Sequence, residues 1–278
     1  VRNPGLRIVI PAFNEAERID PTIAEYCNHF GPRAAVLVVT DGCTDKTNAV
    51  VRSAQRRYDN LHLIELADHV GKGGAIRIGL DSGAEEFVGY VDADGATSAL
   101  EFDRLYVIAM RDDIQGVIGS RWLKGARVEP RQPLRRRFAS RAFNVIVRAL
   151  FSLDFRDTQC GAKIFRRSAL ASALGRLELC DFAADIEILW KLARAGHNVL
   201  EVPTVWADRS VGTKVALLSA GWTMLRGVIY LRLRESTAAN SMLLQALRGT
   251  SVKPLPAIPT DGPRDVAPAV VSVPQSTA

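Results

Sequence analysis

Apolar residues along this chain fall into short blocks separated by polar clusters. Residues 6–11 (LRIVIP) and 35–39 (AVLVV) are β-branched apolar runs, and residues 16–30 between them read as a helix, so the chain opens as a βαβ unit. Similar runs at residues 61–66, 87–91, 116–119 and 199–202, several of them separated by helix-length segments, predict further strands. Strands alternating with helices predict an α/β fold, a mostly parallel sheet flanked by helices on both faces. Residues 215–233 predict an amphipathic helix with an uncharged first half (VALLSAGWTML) followed by Arg226, Arg232 and Arg234. Such a helix either packs on the domain or lies on a membrane surface. Beyond Thr250 the chain is rich in Pro, Ser, Thr and Val without apolar periodicity, which predicts a disordered tail. The expected organisation is one domain over residues 1–214, a helical extension over 215–249 and a tail over 250–278.

Polar residues cluster just after the predicted strands: Asn14 and Glu15, then Asp41, then Asp92 with Asp94. In open α/β sheets that edge is where ligands bind. Asp92 and Asp94 flank Ala93 directly after the strand FVGYV. In an extended segment residues two apart point to one side, so these carboxylates are expected to converge. Hard cations such as Mg²⁺ or Mn²⁺ take one or two protein carboxylates and complete their shell with water and phosphate oxygens. The plain alternative is a helix cap or a solvated turn. The segment HVGKGGAIRIG (residues 69–79) has neither the spacing of a P-loop nor the context of a dinucleotide fingerprint. Its glycines permit a close backbone approach, with Lys72 as a point charge at a helix start; the bland reading is a glycine-rich turn.

A chain of 278 residues has room for one large domain with appendages, and 47% hydrophobic with 24% charged residues is the composition of a chain that folds. The net charge of +6 is unevenly placed. Arg121, Lys124, Arg127, Arg131, Arg135, Arg136, Arg137, Arg141 and Arg148 face only Glu129 in their stretch, and such a segment expects an anion. No aromatic stacking platform or helix-turn-helix pattern accompanies these arginines, so no nucleic-acid partner is expected. The four cysteines form no CxxC pair, which fits a reducing, cytoplasmic setting. Cys160 is expected to be a small buried residue rather than a nucleophile. With a strand beginning within six residues no signal peptide is expected, and no stretch reaches the ~20 apolar residues of a membrane span, so any membrane contact is expected to be peripheral.

The order of these pieces carries a resemblance. PAFNE (residues 11–15) resembles the PxxNE opening of the family 2 glycosyltransferases, VVTDGCTDKT (38–47) their VVDDGSxDxT, HVGKGGAIRIG their NxGKGGAxxxG, and VDADG (91–95) their DxD. Within that family the chain is similar to the dolichyl- and polyprenyl-phosphate hexosyltransferases, from about residue 6 to residue 214. The resemblance implies a GT-A type, Rossmann-like fold and a nucleotide sugar held by Pro11, Asn14, Glu15, Asp41, Lys72, Asp92 and Asp94. It also implies Mg²⁺ or Mn²⁺ on Asp92 and Asp94. Two departures bear on base recognition: Thr40 stands for the family's first aspartate and Cys43 for its serine.

DTQCGAKIFRR (residues 157–167) resembles the DTQCGFKLF of dolichyl-phosphate glucosyltransferases more than the DxTSGFR of mannose synthases, which implies glucose from UDP-glucose. FAADIEIL (182–189) resembles FDxELL, putting Asp185 and Glu187 near the acceptor, and the GTK ending at Lys214 resembles a closing WxxxxGSK loop. Arg121, Arg135, Gln159 and Lys214 are therefore expected to meet the acceptor, with Asp157 or Asp185 orienting it or acting as base. The implied reaction is an inverting transfer to a polyprenyl or dolichyl phosphate at the cytoplasmic face of a membrane. Its alternatives are mannose from GDP-mannose, or a soluble or glycan hydroxyl acceptor.

Overall fold

The computed structural model describes residues 5–130, 134–174, 177–207, 217–234 and 270–271. Strand β1 (Leu6–Ala12) is buried along its whole length, with Leu6, Ile8 and Ile10 in one core layer and Val9 in the other. Strand β2 (Ala34–Asp41) repeats the alternation, Val36 and Val38 opposing Leu37 and Val39. Apolar residues on both faces are what a central parallel strand requires. Strand β3 (Leu61–Leu66) pairs with β2, and β4 (Phe87–Tyr90) pairs with the free side of β1, all in parallel. The order of strands thus reverses at β1, which opens a crevice beyond the carboxyl ends of β1, β2 and β4.

Helices α1 (Ile19–Phe30), α2 (Thr47–Gln55) and α4 (Ala99–Ala109) cover one face through residues such as Ile23, Val51 and Phe102. The other face is covered by α3 (Lys72–Asp81), α5 (Leu134–Phe151), α6 (Arg167–Leu174), α7 (Ala184–Arg194) and α8 (Leu217–Arg234), which contribute Ile76, Val147, Leu170, Ile188 and Val228. Strands β5 (Gly116–Ser120), β7 (Lys163–Arg166) and β8 (Val199–Pro203) extend the sheet beyond β4, and β7 runs antiparallel to both β4 and β5. Strands β6 (Arg127–Glu129) and β9 (Val205–Ala207) form a small separate parallel pair. A buried pair, Arg7 and Glu85, joined by two hydrogen bonds of 2.7 and 2.8 Å, braces the end of the sheet away from the crevice.

The strands expected from the sequence are all present; β7 is not announced by the apolar pattern, because charged residues on both sides leave only Ile164 and Phe165 as an apolar pair. Helix α1 begins at Ile19, three residues later than expected. Asn14 takes a positive φ of 55°, and the Glu15 carbonyl accepts from the Arg18 and Ile19 amides, which holds residues 16–18 in a turn. Helix α8 packs on the domain through Val228, Tyr230 and Leu231, while Trp222 is exposed. The rest of the predicted extension, residues 215–216 and 235–249, lies outside the described residues. So does the predicted tail, except Val270–Val271, which form a two-residue strand β10 parallel to β3. An edge strand offers unpaired backbone groups to such a β-branched pair.

Candidate active site

The crevice is walled by the loops that follow β1, β2 and β4. Asn14 Oδ1 accepts from the Thr44 and Asp45 amides at 2.9 and 3.3 Å, lacing the loop after β1 to the loop after β2. Glu15 is held by Arg18 through two hydrogen bonds of 2.8 Å, and its amide donates to Thr47 Oγ1. Pro11 lies inside β1, opposite Val39. Asp41, at the end of β2, is buried and uses both oxygens on the glycine-rich loop: Oδ1 accepts from the Val70 amide at 2.6 Å and Oδ2 from the Gly71 amide at 2.9 Å. His69 Nδ1 also lies 2.9 Å from Asp41 Oδ2, and the His69 ring meets the half-exposed ring of Phe13 with centroids 4.2 Å apart. Asp41 therefore organises the loop that presents Lys72. Thr40 is buried with its hydroxyl 3.5 Å from the Ile64 carbonyl.

The glycines of that loop are needed for packing. Gly71 has φ 101°, outside the range of most side chains, and a Cβ on Gly73 would collide with Ala184 and the Asp181 carbonyl. The loop thus seats Lys72, the first residue of α3, against the start of α7. Lys72 Nζ lies 2.6 Å from Asp92 Oδ1 and 5.5 Å from the centre of the Phe182 ring.

Asp92 and Asp94 do not continue β4 as an extended segment, which corrects the expected geometry. Residues 93–94 form a turn, closed by Gly95 at φ 67° and by Asp94 Oδ1 accepting from the Ala96 amide at 3.0 Å. The carboxylates still feel each other. Burial and then the neighbouring Asp92 charge raise the Asp94 pKa. Burial works against the Asp92 carboxylate as well, but Lys72, Lys163 and Arg121 outweigh it and lower its pKa. A Cβ on Gly161 would overlap Asp92 Oδ2, so only glycine fits the wall facing that oxygen. Among the described residues no group of three His, Cys, Asp or Glu side chains could hold a cation. Two adjacent carboxylates fit a cation whose remaining ligands come from a bound diphosphate and water rather than from an all-protein cage.

The two candidate bases are both occupied. Asp157 is fully buried and accepts from Arg121 three times, from the amide at 2.9 Å, from Nε at 2.8 Å and from Nη2 at 2.9 Å. Burial opposes its charge, yet Arg121 holds its pKa below the ordinary carboxylate value. Asp185 is buried, with Oδ1 accepting from Lys163 Nζ at 2.6 Å and from the Tyr90 hydroxyl. Arg121 also lies over the Trp206 ring, 5.4 Å from its centre, and Arg141 over the Trp122 ring at 5.0 Å. Gln159 is half-buried, and its Nε2 finds no hydrogen-bond partner among the described residues. Glu187 is buried too, but it accepts from the Glu178 and Leu179 amides and pairs with Lys191, an arrangement that staples the segment before α7. Cys160 is fully buried, and burial followed by the Asp157 charge pushes its thiol up to about 12, which suits a packing residue. Arg135 belongs to the first turn of α5, its side chain outside the described residues, as is Lys214 altogether. No local pattern in the sequence marks Arg18 or Tyr90, and the one clue to Lys163 is a charge directly before the apolar pair Ile164 and Phe165.

The chain is similar to known proteins in sequence and in fold. The model of the family described as Glycosyl transferase family 2 matches residues 7–173. Glycosyltransferase AglD of Haloferax volcanii is 33% identical over 216 residues, covering 76% of this chain and 34% of its own length. This chain thus spans about a third of that relative's length. The dolichyl-phosphate beta-glucosyltransferase of Dictyostelium discoideum is 26% identical over 248 residues, 84% of this chain and 76% of the relative. The polyprenol monophosphomannose synthase of Mycolicibacterium smegmatis is 30% identical over 212 residues, 74% of this chain and 78% of the relative. Among solved structures, glucosyl-3-phosphoglycerate synthase from Mycobacterium tuberculosis, in complex with Mn²⁺, UDP and glucosyl-3-phosphoglycerate, superimposes with a TM-score of 0.62 at 17% identity, covering 86% of this chain and 82% of that one. That likeness bears out the GT-A type architecture. With the family model spanning more than half of it and the motif loops assembled around one crevice, this chain belongs to glycosyltransferase family 2.

Proposed function

We propose that the chain is an inverting, divalent-cation-dependent hexosyltransferase that moves glucose from UDP-glucose onto a polyprenyl or dolichyl phosphate. The observation that carries the choice of acceptor is that Asp157 and Asp185 are each buried and ion-paired, Asp157 with Arg121 and Asp185 with Lys163. A hydroxyl acceptor needs a free base, whereas a phosphate monoester, with a second pKa of about 6, is already largely anionic at neutral pH. The dolichyl-phosphate and polyprenol relatives support the same choice.

In this reading the loops around Pro11, Asn14 and Glu15 hold the nucleoside, and Asp41 acts on it by shaping the 69–71 loop. Asp92 and Asp94 hold Mg²⁺ or Mn²⁺, which when bound supplies positive charge to the departing diphosphate. Lys72 adds a second positive charge there, aimed at the leaving group rather than at the sugar. Arg121, held rigid by Asp157, together with Arg135, Gln159 and Lys214, receives the acceptor phosphate and sets it behind the anomeric carbon. In-line attack from that side converts an α-linked donor to a β-linked sugar phosphate.

Membrane contact is part of the proposal. Among the described residues no helix is long and apolar enough to cross a bilayer. Helix α5 nevertheless exposes Val145 and Ile146 beside Arg141 and Arg148, and α8, which touches α5, exposes Trp222. Basic and apolar residues side by side suit peripheral binding to an anionic surface, and the free cysteines suit the cytoplasmic face. The donor assignment is tested by offering equal concentrations of UDP-glucose and GDP-mannose, each with its own isotope, with polyprenyl phosphate and Mn²⁺. Glucosyl lipid in excess supports the reading; mannosyl lipid in excess transfers it to the mannose alternative, which the 30% identical mycobacterial relative favours.

A further inference from the structure

We propose that the buried Lys163–Asp185 ion pair and the Tyr90 hydroxyl form a positioning element that sets the Asp92 carboxylate and the Lys72 loop in register with each other. The inference rests on the function proposed above and concerns side chains that do not touch the substrates.

Lys163 is fully buried, and its ammonium donates to Asp185 Oδ1 and to the Cys160 carbonyl, each at 2.6 Å. The Tyr90 hydroxyl donates to the same Asp185 oxygen. These contacts reach three separate walls of the crevice. Tyr90 sits directly across from Lys163 in the β4–β7 pairing and two residues before Asp92. The Cys160 carbonyl fixes the backbone immediately before Gly161, at which a Cβ would overlap Asp92 Oδ2. Asp185 stands in the first turn of α7, next to Ala184, against which Gly73 packs, and the Gly74 amide donates to the Cys180 carbonyl at 3.2 Å. One charged cluster therefore links the strand that leads to the DxD turn, the wall facing Asp92 and the seat of the Lys72 loop.

Energetics argues that this is more than packing. Two charges so deeply buried recover little net stability, and apolar side chains of similar volume often serve as well or better. The neighbourhood would accept them, since Ile118, paired with Lys163 in the sheet, Phe165 and Leu189 are already fully buried in the same core layer as Tyr90. What an apolar trio would not supply is directional hydrogen bonding that fixes three backbones at once. Transfer geometry is sensitive on that scale: a displacement of about 1 Å can cost about 100-fold in rate.

The test compares the full chain with the triple variant Tyr90→Phe/Lys163→Met/Asp185→Leu, with Tyr90→Phe alone and with Asp185→Asn alone. Thermal unfolding, kcat and KM for the donor, and the pH profile of kcat are measured in each. The triple variant is expected to melt within a few degrees of the parent, to lose about 100-fold in kcat and to keep its donor KM within about threefold. Tyr90→Phe is expected to keep its melting temperature and pH profile and lose about tenfold in kcat, so the test survives a triple variant that does not fold. Unchanged kcat in Tyr90→Phe, or a folded triple variant as active as the parent, would overturn the inference. So would loss of the ascending limb of the pH profile in Asp185→Asn with Tyr90→Phe unaffected, because Asp185 would then be the base. A parent chain that transfers no sugar to any acceptor removes the proposed function and this inference with it; an active parent beside an equally active variant removes only the inference.

Discussion

Lys72 Nζ sits 2.6 Å from Asp92 Oδ1, so the cation that the glycine-rich loop presents rests on the carboxylate that the proposed mechanism assigns to a divalent metal. Replacing Lys72 by Met removes that competitor along with its contribution to the leaving group. Mn²⁺ titrated without nucleotide should bind the Lys72→Met variant more tightly than the parent, while kcat falls about 100- to 1,000-fold. Equal Mn²⁺ affinity in the two proteins would show that Lys72 does not guard the site.

Gly161 predicts a second loss. Its place admits no Cβ because of Asp92 Oδ2, a side chain at the edge of the crevice rather than core backbone. Gly161→Ala should therefore fold, with Asp92 displaced, and should lose about 100-fold in kcat together with most metal-assisted UDP binding in calorimetry.

The Arg7–Glu85 pair predicts a pH-dependent stability. Both side chains are 4% exposed, and although burial raises the Glu85 pKa, the hydrogen-bonded Arg7 and then Arg167 hold it below its ordinary 4.5. A depressed folded-state value means that the stabilisation is present above about pH 4.5 and is lost as pH falls through the folded pKa. Glu85→Gln should cost about 3–5 kcal/mol in urea unfolding at pH 7, with the difference from the parent shrinking at acid pH.

How much of this was legible in the sequence depends on the kind of residue. Strands β1 and β2 announce themselves because a central parallel strand is apolar on both faces, whereas Lys72, Asp92 and Asp94 stand out only through the order of the four motifs, since each alone reads equally as a glycine-rich turn, a helix cap or a solvated turn. Asp41 was found by its motif, but its work on the Val70 and Gly71 amides depends on loops about 30 residues apart in sequence meeting, which no local pattern encodes. The Arg121–Asp157 and Lys163–Asp185 pairs are contacts across 36 and 22 residues. A lone Asp157 or Asp185 reads as a candidate base until its partner is seen. The turn at residues 93–94 departs from the expected alternation because β4 ends at Tyr90 and residues 92–94 lie beyond it.

The exposed pair Val145 and Ile146 predicts salt-sensitive membrane binding. Changing both to Ser should reduce co-sedimentation with anionic vesicles, and raising the salt should release the parent, since each basic residue near the surface contributes only about 1 kcal/mol.

The most direct test of the central claim is organic-phase recovery of labelled glucose from UDP-glucose and polyprenyl phosphate, with Mn²⁺, with a chelator, and with the Asp94→Ala variant. Glucosyl lipid formed only by the parent with the cation is the predicted result. Glucosyl lipid at the parent rate from Asp94→Ala, or in the presence of the chelator, would contradict it.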